Sequence, residues 1–200
     1  MIKVSESKLH WNYFLALERN AETISRYIEF TSGNFRTYSI ELARVLLAAA
    51  SEVDVVAKAL CKILAPSRRA DRITDYRSII VIHLPHLARE RVYVSRYGLT
   101  LDPWSSWRKK KTPDNPLWWK AYNQVKHQRS SHFDQASLQH TLNSMAGLLL
   151  MNYYYYMEIM RPQWPSNKDA LREKDVTAAL EPESTLFRLN EEYYFSRLVV

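Results

Sequence analysis

The feature that most restricts this chain is a pair of long apolar seams at helical spacing. Ala43, Leu46, Ala50, Val53, Ala57, Leu60 and Leu64 follow one another at intervals of three and four residues. Leu138, Leu142, Met145, Leu149, Asn152 and Tyr156 repeat the pattern, with Leu148, Tyr155 and Ile159 widening it. Such intervals return to one face of an α-helix, whereas a strand needs alternate residues. Ser39 suits the N-cap of the first seam, Glu41 favours its first turn, and Pro66 stands just past its end. Two seams this regular call for mutual burial. The sequence therefore predicts an all-α bundle on two long antiparallel helices, the second running from Asp134 to Met160.

The remaining segments are shorter. Ser7 to about Phe30 carries Phe14, Leu17, Ile24, Tyr27 and Ile28 at helical spacing, and a loop with Gly33 and Asn34 follows. Residues 72–84 fit either a short helix over Asp75–Ile82 or a buried strand over Ile79–Leu84. Arg91 to Leu101 alternates apolar and polar residues and turns near Tyr97-Gly98, the pattern of a small hairpin. Three prolines make Asp102 to Pro116 a loop, and Pro116 suits the start of a helix from Leu117 to about Arg129, with a break near Ser130 and Ser131. Residues 1–165 read as one helical domain with its core in 39–64 and 116–160. Residues 166–200 read as a tail, with a short helix over Asp169–Leu180 and a hairpin pairing Leu186–Leu189 with Tyr193–Phe195.

Composition removes several function classes. Gly33, Gly98 and Gly147 are the only glycines, too few and too far apart for a phosphate-cradling glycine loop. A lone Cys61 rules out an internal disulfide and a multi-cysteine zinc site, and its apolar neighbours place it in a helix core. Two imidazoles in His83-Leu-Pro-His86 are interrupted by a proline and have no carboxylate nearby, so no metal or cofactor is expected. His140 lies within the second seam and reads as structural. The first residues have no apolar run of the kind a secretory leader needs, and Met145–Met160 falls short of the roughly 20 apolar residues of a membrane span. The expected setting is the cytoplasm, with no membrane partner.

The charge is localised. Between Arg89 and His132 there are ten basic residues and three acids, which accounts for the entire net charge of +7. Arg108, Lys109, Lys110 and Lys111 form a run flanked by Trp104 and Trp107 on one side and Trp118 and Trp119 on the other. Cations interleaved with aromatics fit a single-stranded nucleic acid, whose bases stack on rings while its phosphates meet the cations. The competing reading is a solvated basic loop whose tryptophans point into the core, and core burial is the favoured fate of any one of them. Lys120, Asn123, Lys126, His127 and Arg129 follow. Asn123 and His127 are four apart and share a helix face. A histidine among cations is suited to proton transfer on a phosphodiester held by those cations.

The string Trp-Trp-x-x-Tyr-Asn-x-Val-Lys-His-x-Arg at 118–129, together with the two long seams, resembles the HEPN superfamily of helical bundles. The resemblance covers about residues 39–64 and 116–160, leaving the hairpin and neighbouring segments as embellishments. It implies a metal-independent endoribonuclease of the kind used in toxin–antitoxin and phage-defence systems, acting as a homodimer and controlled by an antitoxin. The family motif is an arginine, then a polar residue, then a histidine after four to six residues. Asn123 and His127 match the second and third parts, while Tyr122 stands where the arginine is expected. Under the resemblance His127 is the general acid/base, Asn123 orients it, and Lys126 or Arg129 supplies the missing cation. RNA would be gathered by Arg108 to Lys111 and Lys120. Two further readings are an inactive HEPN-like module that binds RNA or protein, favoured by Tyr122, and a structural helical dimer, disfavoured by the localised charge.

Overall fold

The computed structural model describes residues 7–108, 114–163 and 173–194. Among them are seven α-helices: α1 (Leu9–Ile24), α2 (Ile40–Leu64), α3 (Ile73–His83), α4 (Leu117–His127), α5 (Arg129–His132), α6 (Leu138–Met160) and α7 (Glu173–Ala179). The one sheet is an antiparallel hairpin of β1 (Val92–Val94) and β2 (Leu99–Leu101), with Val92 opposite Leu101. It turns through Gly98, whose φ of 62° is the left-handed conformation that a side chain disfavours. The protein is thus a mostly α-helical bundle with a small hairpin, as the sequence indicates.

Local chemistry sets the helix ends. Ser39 Oγ accepts from Leu42 N–H at 3.1 Å and opens α2. Leu46, Ala50, Val53, Ala57 and Leu60 of its seam are fully buried, as is Cys61, whose thiol burial pushes up to about 12. Asp75 accepts from the N–H groups of Asp71 and Arg72 and starts α3, which resolves residues 72–84 as helix. The second seam begins at Leu138 rather than Asp134. Phe133–Gln135 forms a 3-10 turn, and Ser137 Oγ caps the His140 N–H. The first helix stops at Ile24, where Ser25 Oγ turns back onto the Glu22 carbonyl.

The two long helices run parallel, which corrects the antiparallel expectation. Leu138 N–H donates to the Thr37 carbonyl at 2.8 Å, and Thr141 Oγ1 donates to the Leu42 carbonyl at 3.2 Å. Further along, His10 of α1 meets Glu52 of α2 at 2.6 Å and the ring of Tyr155 of α6 at 5.3 Å. Contacts that advance together along both helices mean a shared direction. The reason lies in the connection. Antiparallel neighbours follow from short links, but here the chain first turns back along α2. Lys58 pairs with Asp71, and the Tyr76 hydroxyl donates to Asp54 at 3.0 Å, so α3 runs antiparallel to α2. The hairpin and α4 follow before α6 begins beside the start of α2.

Residues 173–194 pack into the same core, burying Val176, Leu180, Leu186, Phe187 and Leu189. The expected pairing of Leu186–Leu189 with Tyr193–Phe195 is not formed. Arg188 instead exchanges backbone hydrogen bonds with Tyr93 of β1, and Glu191–Tyr193 is a 3-10 turn; Phe195 lies outside the described residues. A buried carboxylate explains the change. Glu18 of α1 accepts from the N–H groups of Thr185, Leu186 and Phe187 at 3.2, 3.0 and 3.1 Å, and from the Ser184 hydroxyl. These groups are thereby withdrawn from any local hairpin. No helix among the described residues is long and apolar enough to cross a membrane.

Truncating Glu18 would leave several buried donors unpaired, each costing about 1–3 kcal/mol. Glu18→Ala is therefore expected to lower the unfolding free energy by about 3 kcal/mol or more in urea titrations. A loss below about 1 kcal/mol would show that this carboxylate does not hold the 184–187 segment in place.

Candidate functional site

Helix α4 divides cleanly into two sides. Trp118, Trp119, Ala121, Tyr122 and Val125 are buried, while Lys120, Asn123, Gln124 and His127 form an outward stripe. Helix periodicity puts Asn123 and His127 on the same side, as expected from their spacing. The Asn123 amide N–H₂ donates to the Trp119 carbonyl at 2.9 Å, one turn back, so its side chain is tied to its own helix. His127 is the last residue of α4 and is exposed. Lys126 lies over the Tyr122 ring, 5.3 Å from its centre, with its ammonium 3.2 Å from the Tyr122 hydroxyl. Tyr122, at the expected arginine position, is buried against Trp119.

Arg129 opens α5 and is exposed. It borders a hollow of about 520 Å³ with Ile40, Leu47 and Phe133 on its apolar walls and Arg44 beside it; Arg44 pairs with Glu41 at 2.7 Å. The N-termini of α2 and α6 lie at this same corner because the two helices are parallel. Each contributes a partial positive charge to its surroundings. The carboxyl end of α4 contributes the opposite sign, and Lys126 and His127 occupy its last turn, where cations are favoured. Lys126, His127 and Arg129 are thus brought to one corner of the bundle.

The other predicted cations lie elsewhere. Lys120 is seven residues before His127, about 10 Å along the helix axis. It pairs with Asp114 at 2.7 Å, and Arg108 pairs with Asp102. Lys109, Lys110 and Lys111 lie outside the described residues. The four flanking tryptophans are buried, the fate the sequence favours for each of them singly, so none is open for base stacking. Trp104 meets Trp107 at 4.2 Å and Trp118 at 5.1 Å between ring centres, and Trp118 Nε1–H donates to the Pro103 carbonyl at 2.9 Å. Gly147 of α6 admits this cluster. A Cβ there would stand 3.0 Å from a Trp118 ring carbon. Large rings facing an apolar helix gain more by leaving water than by waiting for a ligand.

Sequence reasoning missed a groove of about 410 Å³ with a mixed apolar and polar lining, between the turn after β2, the start of α4 and the first turns of α6. Asp102, Ser106, Asp114, His140 and Asn143 line it. Burial holds the His140 imidazole below its usual value, with Asp134 opposing the shift. The available signal was the Gln139, His140, Asn143 spacing, which puts three polar side chains beside the apolar seam rather than within it. Also unanticipated is a cluster where burial pushes the Glu90 carboxyl up, opposed by hydrogen bonds from Tyr193 and Tyr154. No known family, curated protein or solved structure matches the chain.

The depressed His140 value makes a pH dependence. In the unfolded chain this histidine takes a proton near pH 6.5, but in the folded protein only at lower pH. The unfolded state thus binds more protons, and stability present above about pH 6.5 falls as the pH drops below it. Urea midpoints measured from pH 7.5 to 5 should decline less in His140→Gln than in the wild-type chain. Parallel curves would show that His140 ionises alike in both states.

Proposed function

We propose that this protein is a HEPN-like RNA-binding bundle whose α4–α5 corner holds the phosphates of a single strand. The supporting observation is the convergence of Lys126, His127 and Arg129 at a corner that also receives the N-termini of α2 and α6. Exposed cations beside positive helix ends favour a polyanion. The localised net charge supports the same reading from the sequence. Arg129 makes no ion pair among the described residues, so its guanidinium is open to a phosphate.

The same corner carries the proposed chemistry, a metal-independent cleavage of toxin or phage-defence type. His127 removes the proton of a ribose 2′-hydroxyl while that oxygen attacks the adjacent phosphorus. The bond to the 5′-oxygen breaks, and this oxygen takes a proton from water or from His127 of a second copy. Lys126 and Arg129 offset the charge that builds on the phosphorane. The homodimer and the antitoxin belong to this reading, as does a cytoplasmic setting. The alternative is a module that binds RNA without cutting it. It is favoured by Tyr122, whose buried ring leaves no guanidinium beside Asn123.

Two measurements separate these readings. Anisotropy with a labelled single strand should show affinity falling with salt, and Arg129→Ala should flatten the slope by about 0.7, the value for one phosphate contact. An unchanged slope removes Arg129 from the interface. In EDTA, His127→Ala should reduce RNA cleavage about 10²–10⁴-fold while affinity changes little. A wild-type chain that binds varied RNAs yet cuts none of them is the binding module.

A further inference from the structure

The groove beside the first turns of α6 has a chemistry distinct from the cationic corner. Its volume of about 410 Å³ suits one small organic ligand. Phe35 and Trp118 are among its lining residues, and the polar part of the lining is rich in acceptors. Asn143 Nδ2–H donates to the Gln139 carbonyl at 2.9 Å, which leaves its carbonyl oxygen as the atom free to accept. Asp102 keeps its side chain 30% exposed; its Oδ1 is buried, and its Oδ2 accepts from Arg108 and has a second lone pair for a further donor.

Charge narrows the ligand further. Asp102 and Asp114 are the acids in the lining, and Arg108 and Lys120 pair with them. Among the described residues the acids of the groove are therefore paired, whereas Arg129 at the corner makes no ion pair. A neutral, planar ligand that donates hydrogen bonds fits this combination. Gln139 and His140 belong to the first turn of α6, whose N-terminus lies at the cationic corner.

We propose that this groove binds a nucleobase carrying an exocyclic amino group, which donates to Asp102 and to the Asn143 carbonyl. The proposal rests on the RNA-binding reading for its natural ligand, a base of the strand whose phosphates meet Lys126 and Arg129. His140 faces the same groove and supplies a ring nitrogen to the base edge. Adenine, cytosine and guanine carry the amino group. Uracil presents a carbonyl in its place and would set oxygen against oxygen.

Calorimetric titration of the full chain with adenosine, cytidine and uridine tests this directly. Cytidine and adenosine should bind about tenfold more tightly than uridine, the effect of one hydrogen bond to a charged acceptor. Asn143→Ala and His140→Ala should each weaken cytidine binding several-fold, with circular dichroism confirming that both variants fold. Absence of heat with every nucleoside at millimolar concentration, or equal affinity for cytidine and uridine, overturns the proposal. Strand binding by anisotropy is measured on the same preparation. RNA bound without nucleoside binding removes the groove alone. Cytidine preferred over uridine without RNA binding keeps the groove and removes the cationic corner as an RNA site.

Discussion

The parallel packing of α2 against α6 is the constraint on which the remaining structure depends. It is fixed at one end by backbone hydrogen bonding between Thr37 and Leu138 and by Thr141 on the Leu42 carbonyl. Two parallel helices cannot be joined by a short loop, so the intervening chain must travel back before α6 begins. Helix α3, the hairpin and α4 are that return path. The arrangement also puts two capped helix N-termini at one corner, where α4 ends. The electrostatic character of that corner is thus a consequence of helix direction as well as of Lys126 and Arg129.

The aromatic cluster is the second organising element. Trp104, Trp107 and Trp118 pack as one unit, and Gly147 lets that unit lie close against α6. Burying them anchors the start of α4 and the turn after β2 to the central pair. The outward stripe of Lys120, Asn123 and His127 is then fixed by helix periodicity alone. The groove at His140 and Asn143 is what remains between the anchored turn and α6.

Glu18 performs a comparable task at the opposite end of the sequence. One carboxylate gathers three backbone N–H groups and a hydroxyl from residues 184–187. An acid is seldom buried unless its oxygens are this fully engaged. Through this contact the C-terminal segment becomes part of the bundle and reaches the edge of the hairpin at Tyr93.

The sequence by itself determined the two long helices, the Ser39 cap and the location of the charge. Seam spacing and the Ser39 cap act within a turn or two, so their outcome is readable from neighbouring residues. Asn123 and His127 share a side of α4 for the same reason. Tertiary structure decided the relative direction of α2 and α6, the fate of the tryptophans and the groove beside α6. The seams are equally apolar whichever way their helices run, so periodicity carries no direction. The same aromatic–basic pattern fits an open nucleic-acid platform and a buried cluster. The contact between Trp118 and Gly147 settles that choice, and it joins residues far apart in the chain. Local rules fix each element, whereas burial depends on which distant surface it meets.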